Sequence, residues 1–262
     1  MDVVALTTLA TSVDVEAPLL ADDLGLTVYE ARQKLALLLP AVVLMSPDRE
    51  RTTSLLAALR RRGHGAIACD ARAVAPSGRM TVIRRFHLEL DALVLEGTDG
   101  DPAAERVPFA DMVALIRAAH RHSTLTHEQT KEKKFRPAAA LITGGVVLTK
   151  TVKKDVVRTG EEKEQVLYIF RRGGQLPCLL REGSAQYGGL GQAVQPTRLL
   201  NFATTVRLLR EGAPRVPCDE RLVTMKKAPE PPNAPGTPRL FDRETGGTDL
   251  MAHLLAMVIS AP

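Results

Sequence analysis

The stretch from Leu24 to Asp70 confines the fold more than any other, because its helix and strand boundaries are written in residues that tolerate few alternatives. Gly25 stands where a left-handed residue ends a short helix over 16–24. Thr27 and Glu30 have the spacing of a capping box, which starts a second helix. Val28, Ala31, Leu35 and Leu38 follow at helical spacing and are expected to face a core. Pro40 bars the helix from continuing through Leu39. Residues 41–45 are continuously apolar and long enough only for a buried strand. Ser46, Pro47 and Asp48 then read as cap, first helical residue and acid at the positive dipole end. Leu55, Leu56 and Leu59 form the apolar stripe of that helix, Arg60, Arg61 and Arg62 its last turn, and Gly63 its stop. Residues 66–69 supply a third strand, and residues 2–9 a first one.

The fold class that follows is α+β. A small βααβαβ module over 1–75 precedes a mostly antiparallel β-rich domain over 78–212, closed by a helix, and a proline-rich tail over 213–262. Pro76, Ser77 and Gly78 read as the linker. Strands are expected over 81–89 and 92–96, with a turn-rich connection over 97–105. Residues 107–117 are strand-like, with helix an alternative from Phe109, and 123–137 read as a polar, basic loop. Two β-rich pieces flank Gly144 and Gly145, and Arg171–Gly174 has hairpin composition. The closing helix, 197–211, places Leu199, Phe202, Val206 and Leu209 on one face. In the tail, Pro229–Pro238 is too stiff and polar to join a core, and 249–259 returns to apolar helix, ready to dock back or to fill a partner's groove.

The first module resembles the C-terminal domain of the bacterial ribosomal stalk protein, a fold shared with the Clp protease adaptor. That family opens its second helix with Gly-Leu-Gly-Leu-x-Glu-Ala-Lys, which Gly25–Arg32 parallels; Pro40 and the Leu59–Gly63 helix ending match as well. The resemblance covers about a quarter of the chain and implies a module that grips partner proteins. In the stalk family, basic residues on the first helix and the start of the second grip translation factors. Here the first helix carries Glu16, Asp22 and Asp23, and only Arg32 keeps a basic character at a matching place. The implied protein-binding residues are therefore Asp22, Asp23 and Arg32, aimed at a different partner. Leu24–Leu38 is also similar to the opening helix of sugar-sensing winged-helix regulators. That fold needs another helix where 39–45 offers a strand, and the module's net charge of −1 (8 Lys/Arg against 9 Asp/Glu) argues against phosphate contacts. The β-rich domain resembles pleckstrin-homology-like barrels in plan, a curled sheet capped by a helix, and such an analogy assigns no ligand.

Charge is uneven along the chain. Residues 117–172 hold 13 Lys/Arg and 6 Asp/Glu, a net of +7, and Lys131, Lys133, Lys134 and Arg136 form the candidate basic surface. Aromatics are 3% of the residues with no Trp, which weakens any base-stacking mode of nucleic-acid binding. His120, His122 and His127, with Glu128 and Glu132 nearby, are the best metal candidates, yet their spacing is not that of a zinc site. Cys69, Cys178 and Cys218 are far apart and fit free thiols in a reducing compartment. Gly188, Gly189 and Gly191 lack the Lys and the helix of a phosphate loop. Asp22–Asp23 and Asp99/Asp101 suit capping and turns. No secretory signal and no stretch of membrane-spanning length is apparent. The expectation is a cytoplasmic bacterial adaptor or regulatory scaffold, without catalytic residues, metal or cofactor, that binds another protein or a second copy of itself. The alternative is a binder of nucleic acid or an anionic surface through 117–172, and an uncharacterised enzyme comes third.

Overall fold

The computed structural model describes residues 1–97, 104–135, 149–226, 228–230, 239 and 241–260, with the backbone alone over 123–135 and 149–161. The first 70 residues follow the order β1 (Asp2–Thr8), α1 (Val13–Leu24), α2 (Val28–Leu35), β2 (Ala41–Ser46), α3 (Arg49–Arg61) and β3 (Gly65–Asp70). This is the expected βααβαβ order. The strands form an antiparallel sheet with β1 central, pairing Val3 with Met45 on one side and Cys69 on the other.

The local signals act as read at most joints. Gly25 ends α1 at φ 67°, and both bonds of the Thr27–Glu30 capping box are present. The start of α3 differs by two residues. Asp48 is its N-cap, accepting from the amides of Glu50 (2.9 Å) and Arg51 (3.1 Å), while Ser46 ends β2. A carboxylate satisfies two orphan amides where a hydroxyl reaches one, so the acid takes the cap. α1 begins at Val13 rather than Glu16, with Pro18 inside it on an exposed face.

Among the described residues the rest of the chain builds two sheets rather than a single curled one. β4 (Thr81–Ile83), β8 (Met112–Phe135), β9 (Thr149–Arg171), β10 (Cys178–Arg181) and β11 (Cys218–Leu222) form a five-stranded sheet in the order β11-β8-β9-β10-β4. It is mixed: β10 runs antiparallel to β9 but parallel to β4, and β11 runs parallel to β8. β5 (Arg85–Leu88), β6 (Ala92–Glu96) and β7 (Glu105–Pro108) form an antiparallel meander. Residues 81–89, expected as one strand, are therefore split between two sheets. Gly173 and Gly174, at φ 69° and 71°, make the expected turn between β9 and β10. Residues 123–135, expected as loop, continue β8. Backbone pairing asks nothing of side-chain polarity, so a basic composition does not end a strand that has a neighbour.

Two compact units result. One joins 1–120 with 164–262, and the other is 121–163, which holds parts of β8 and β9. In the first unit, alternation along β8 and β9 sends side chains to both faces of the sheet. Leu115, Leu167 and Ile169 pack with the meander and with Phe202, Val206 and Leu209 of α4 (Arg198–Gly212). Leu199, expected on that buried face, is half exposed. Ala114, Ile116, Val166 and Tyr168 pack on the other side with α5 (Gly246–Ser260) and with Val3 and Ala5 of β1.

β1 alternates in the same way. Val4 and Leu6 face the helices of their own module, against Leu20, Leu35, Leu55 and Leu59. One core thus draws on residues of all three expected segments. α5 docks in cis: Leu250, Leu254 and Leu255 are fully buried. At about 1.5–3 kcal/mol each, their burial is comparable with a domain's net stability of about 5–15 kcal/mol, so this helix is part of the fold. Most of the proline-rich run lies outside the described residues. Among the described residues no helix is long and apolar enough to cross a membrane.

Candidate functional site

The buried row of α1 is Glu16, Ala17, Leu20, Ala21 and Leu24. Val15 and Leu19, one turn apart on the neighbouring row, are 58% and 43% exposed. On α2, Ala31 and Leu35 turn inward, as expected from their spacing. Val28 and Leu38 do not: α2 is only two turns long, which leaves Val28 on its flank and Leu38 beyond its end. Tyr29 is 69% exposed, whereas the other two tyrosines, Tyr168 and Tyr187, are buried. Leu37 is also half exposed. Isolated exposed apolar residues are ordinary, but several on one helix pair are not.

The three expected protein-binding residues lie on the same two helices. Arg32 joins them, its guanidinium 2.7 Å from Asp14. Both partners are more than half exposed, so the pair patterns the surface more than it stabilises the fold. Asp23 is held 2.7 Å from Arg62. Asp22 is exposed and, among the described residues, in no ion pair.

Lys131, Lys133 and Lys134 fall on the β8 backbone, their side chains outside the described set, and Arg136 lies outside it altogether. His122 belongs to the second unit, the side chains of His127, Glu128 and Glu132 are not among those described, and Asp99 and Asp101 fall outside the described residues. Burial pushes the Cys69 and Cys178 thiols up to about 11 and raises that of Cys218, so none is a thiolate at neutral pH. Gly189 lies flat against the Phe86 carbonyl, where any Cβ would collide with backbone.

What local patterns miss is a buried polar chain in the first unit. Asp249 on α5, fully buried, accepts from the Ser77 amide (2.8 Å), the Ser77 hydroxyl (2.5 Å) and the Tyr168 hydroxyl (2.8 Å). Because the Tyr168 proton points to Asp249, its oxygen accepts from His120 Nε2 at 2.6 Å. Burial raises the Asp249 carboxyl above its usual range despite these donors, and burial beside Asp249 raises Tyr168 well above its own. The expected linker at 76–78 is therefore a tie: Ser77 is 172 residues from Asp249 and bonded to it twice.

One turn further along α5, His253 Nε2 accepts from the Ala75 amide (3.1 Å) while Nδ1 faces the Asp249 carbonyl (3.1 Å). That requires a neutral ring with its proton on Nδ1. Burial pushes its pKa from 6.5 down to about 4. The unfolded chain thus takes up a proton near pH 6.5 that the native state refuses until about pH 4. Stability falls by about 3 kcal/mol across that window from this group. Asp249, with its raised pKa, contributes in the opposite sense, since the native state takes its proton first. The His253→Gln variant is expected to lose the histidine's part of the acid slope in urea titrations between pH 7 and 4. Parallel wild-type and variant curves would show that the ring protonates in the native state at no cost.

No protein-family model, curated protein or solved structure matches the chain.

Proposed function

We propose that this protein is a non-enzymatic adaptor or scaffold of the cytoplasm that binds another protein through the outer face of α1 and α2. The observation that carries this reading is the set of solvent-facing apolar side chains on that helix pair, Val15, Leu19, Val28 and Tyr29, flanked by charges at Asp22 and Arg32. An exposed tyrosine among aliphatic neighbours is the composition from which interface hot spots are built. The resemblance to the stalk-protein domain belongs to the same proposal, because that family also binds through its first helix and the start of its second. Three free cysteines support a reducing compartment.

The test compares what the wild-type protein and the variants Leu19→Asp and Tyr29→Ala capture from the native host, read by quantitative mass spectrometry. Both residues are exposed, so unfolding midpoints are expected to stay within about 0.5 kcal/mol of wild type. At least one specifically captured protein is expected to fall roughly tenfold or more with each variant. Retention of every captured protein by both variants would sink the proposal. Capture that survives both but collapses with added salt would favour an anionic partner of the basic segment instead.

A further inference from the structure

A second surface of the first unit carries a different chemistry. A cleft of about 550 Å³ opens between Pro76–Arg79 and Phe241–Thr245 and includes Arg239. Its size is that of small-molecule sites. Three arginines line it, Arg79, Arg239 and Arg243, and among the described residues none of the three guanidiniums has a carboxylate or hydrogen-bond partner. Arg62, Arg106 and Arg221, by contrast, each close on acidic side chains. Asp242 is the acid of the lining, and it is already engaged, accepting from the amides of Glu244 (2.7 Å) and Thr245 (3.3 Å). Summed over the lining, three cations and one anion leave a charge of +2.

The walls that carry Arg79 and Arg243 are fixed before any ligand arrives. Ser77 on one side is bonded twice to Asp249, whose helix begins just past the other side. Phe241 and Thr245 are buried, and Asp242 holds the turn that carries Arg243. Exposed arginines set on preorganised backbone around a concave surface form a receptor for planar or tetrahedral oxyanions, because the guanidinium fork matches two oxygens at once.

We propose that this cleft binds a small molecule bearing a diphosphate group, with Arg79, Arg239 and Arg243 as its charge partners and the Ser77–Asp249 tie holding its walls. Two or more phosphate charges match the +2 lining, and the volume leaves room for an organic substituent. The site is distinct from the α1–α2 face, so either reading can fail without the other.

The test titrates the full-length protein with pyrophosphate and, separately, with ADP, by calorimetry at constant ionic strength. Saturable one-site binding of at least one is expected, weakened about tenfold by each of Arg79→Ala, Arg239→Ala and Arg243→Ala. Arg72→Ala removes an exposed arginine outside the cleft and is expected to leave affinity unchanged. Equal affinity for both probes would identify the diphosphate as the recognised group; tighter binding of ADP would add the nucleoside. The three arginines are exposed, and unfolding midpoints of the variants are measured alongside to separate binding from folding. Absence of saturable binding of either probe, or affinity that survives the triple alanine variant, would overturn the proposal.

Discussion

Replacing Asp249 with alanine is expected to remove about 4 kcal/mol of stability. Three donors in the interior, the Ser77 amide, the Ser77 hydroxyl and the Tyr168 hydroxyl, converge on this carboxylate. Each buried donor left without an acceptor costs about 1–3 kcal/mol. Against a total of about 5–15 kcal/mol, the variant stands near the edge of folding. Asp249→Asn keeps one acceptor oxygen but sets an N–H₂ among donors, so an intermediate loss of about 2 kcal/mol is expected. With no Trp in the chain, far-UV circular dichroism in urea is the suitable readout. A loss below about 1 kcal/mol for the alanine variant would show that the chain of hydrogen bonds does not hold α5 to the sheet.

The second large effect is expected at Glu16, which is 1% exposed. Its carboxylate contacts His64 Nε2 at 2.7 Å and Arg62 at 2.8 Å. His64 is fixed from behind, because its Nδ1 accepts from the Ala10 amide at 3.0 Å, which places the ring proton on Nε2, the nitrogen that lies beside the Glu16 carboxylate. Burial works against the Arg62 charge, yet bonds to Asp23 and Glu16 more than offset it and raise its pKa. Glu16→Ala strands the buried His64 ring and leaves Arg62 with Asp23 alone, and a loss of about 3 kcal/mol is expected. Apolar substitution of both members, Glu16→Leu with His64→Leu, removes the stranded groups and is expected to recover at least half of that. A double variant as unstable as the sum of its singles would mean that the two side chains act independently.

Legibility tracked distance along the chain. The α1 stop at Gly25, the capping box and the order of the first six elements rest on residues within four of one another, and these could be read directly. Ser46 and Asp48 are both good caps for α3, and only the extent of β2 decides between them. Leu38 and Leu199 fit a helical stripe on paper, but burial depends on where a helix ends and what covers it. The Ser77–Asp249 tie left no local mark at all: a serine beside glycine reads as linker and an aspartate at a helix start reads as cap. The arginine cleft is hidden for the same reason, since Arg79 stands at the start of the β-rich region and Arg243 in the tail beyond it, and no periodicity connects them.

β1 has a consequence for how such a chain can evolve. Val4 and Leu6 belong to one core and Val3 and Ala5 to another, within a single four-residue run. A cassette that moves freely between proteins carries its own sealed interior. The first 75 residues do not, because their sheet is also the wall of the neighbouring core. Shuffling them onto another protein would expose one apolar face on the transplant and another on what was left behind. Inheritance is therefore expected to keep the α1–α2 face and the body that carries it together, with new partners acquired by changing surface residues such as Val15, Leu19 and Tyr29.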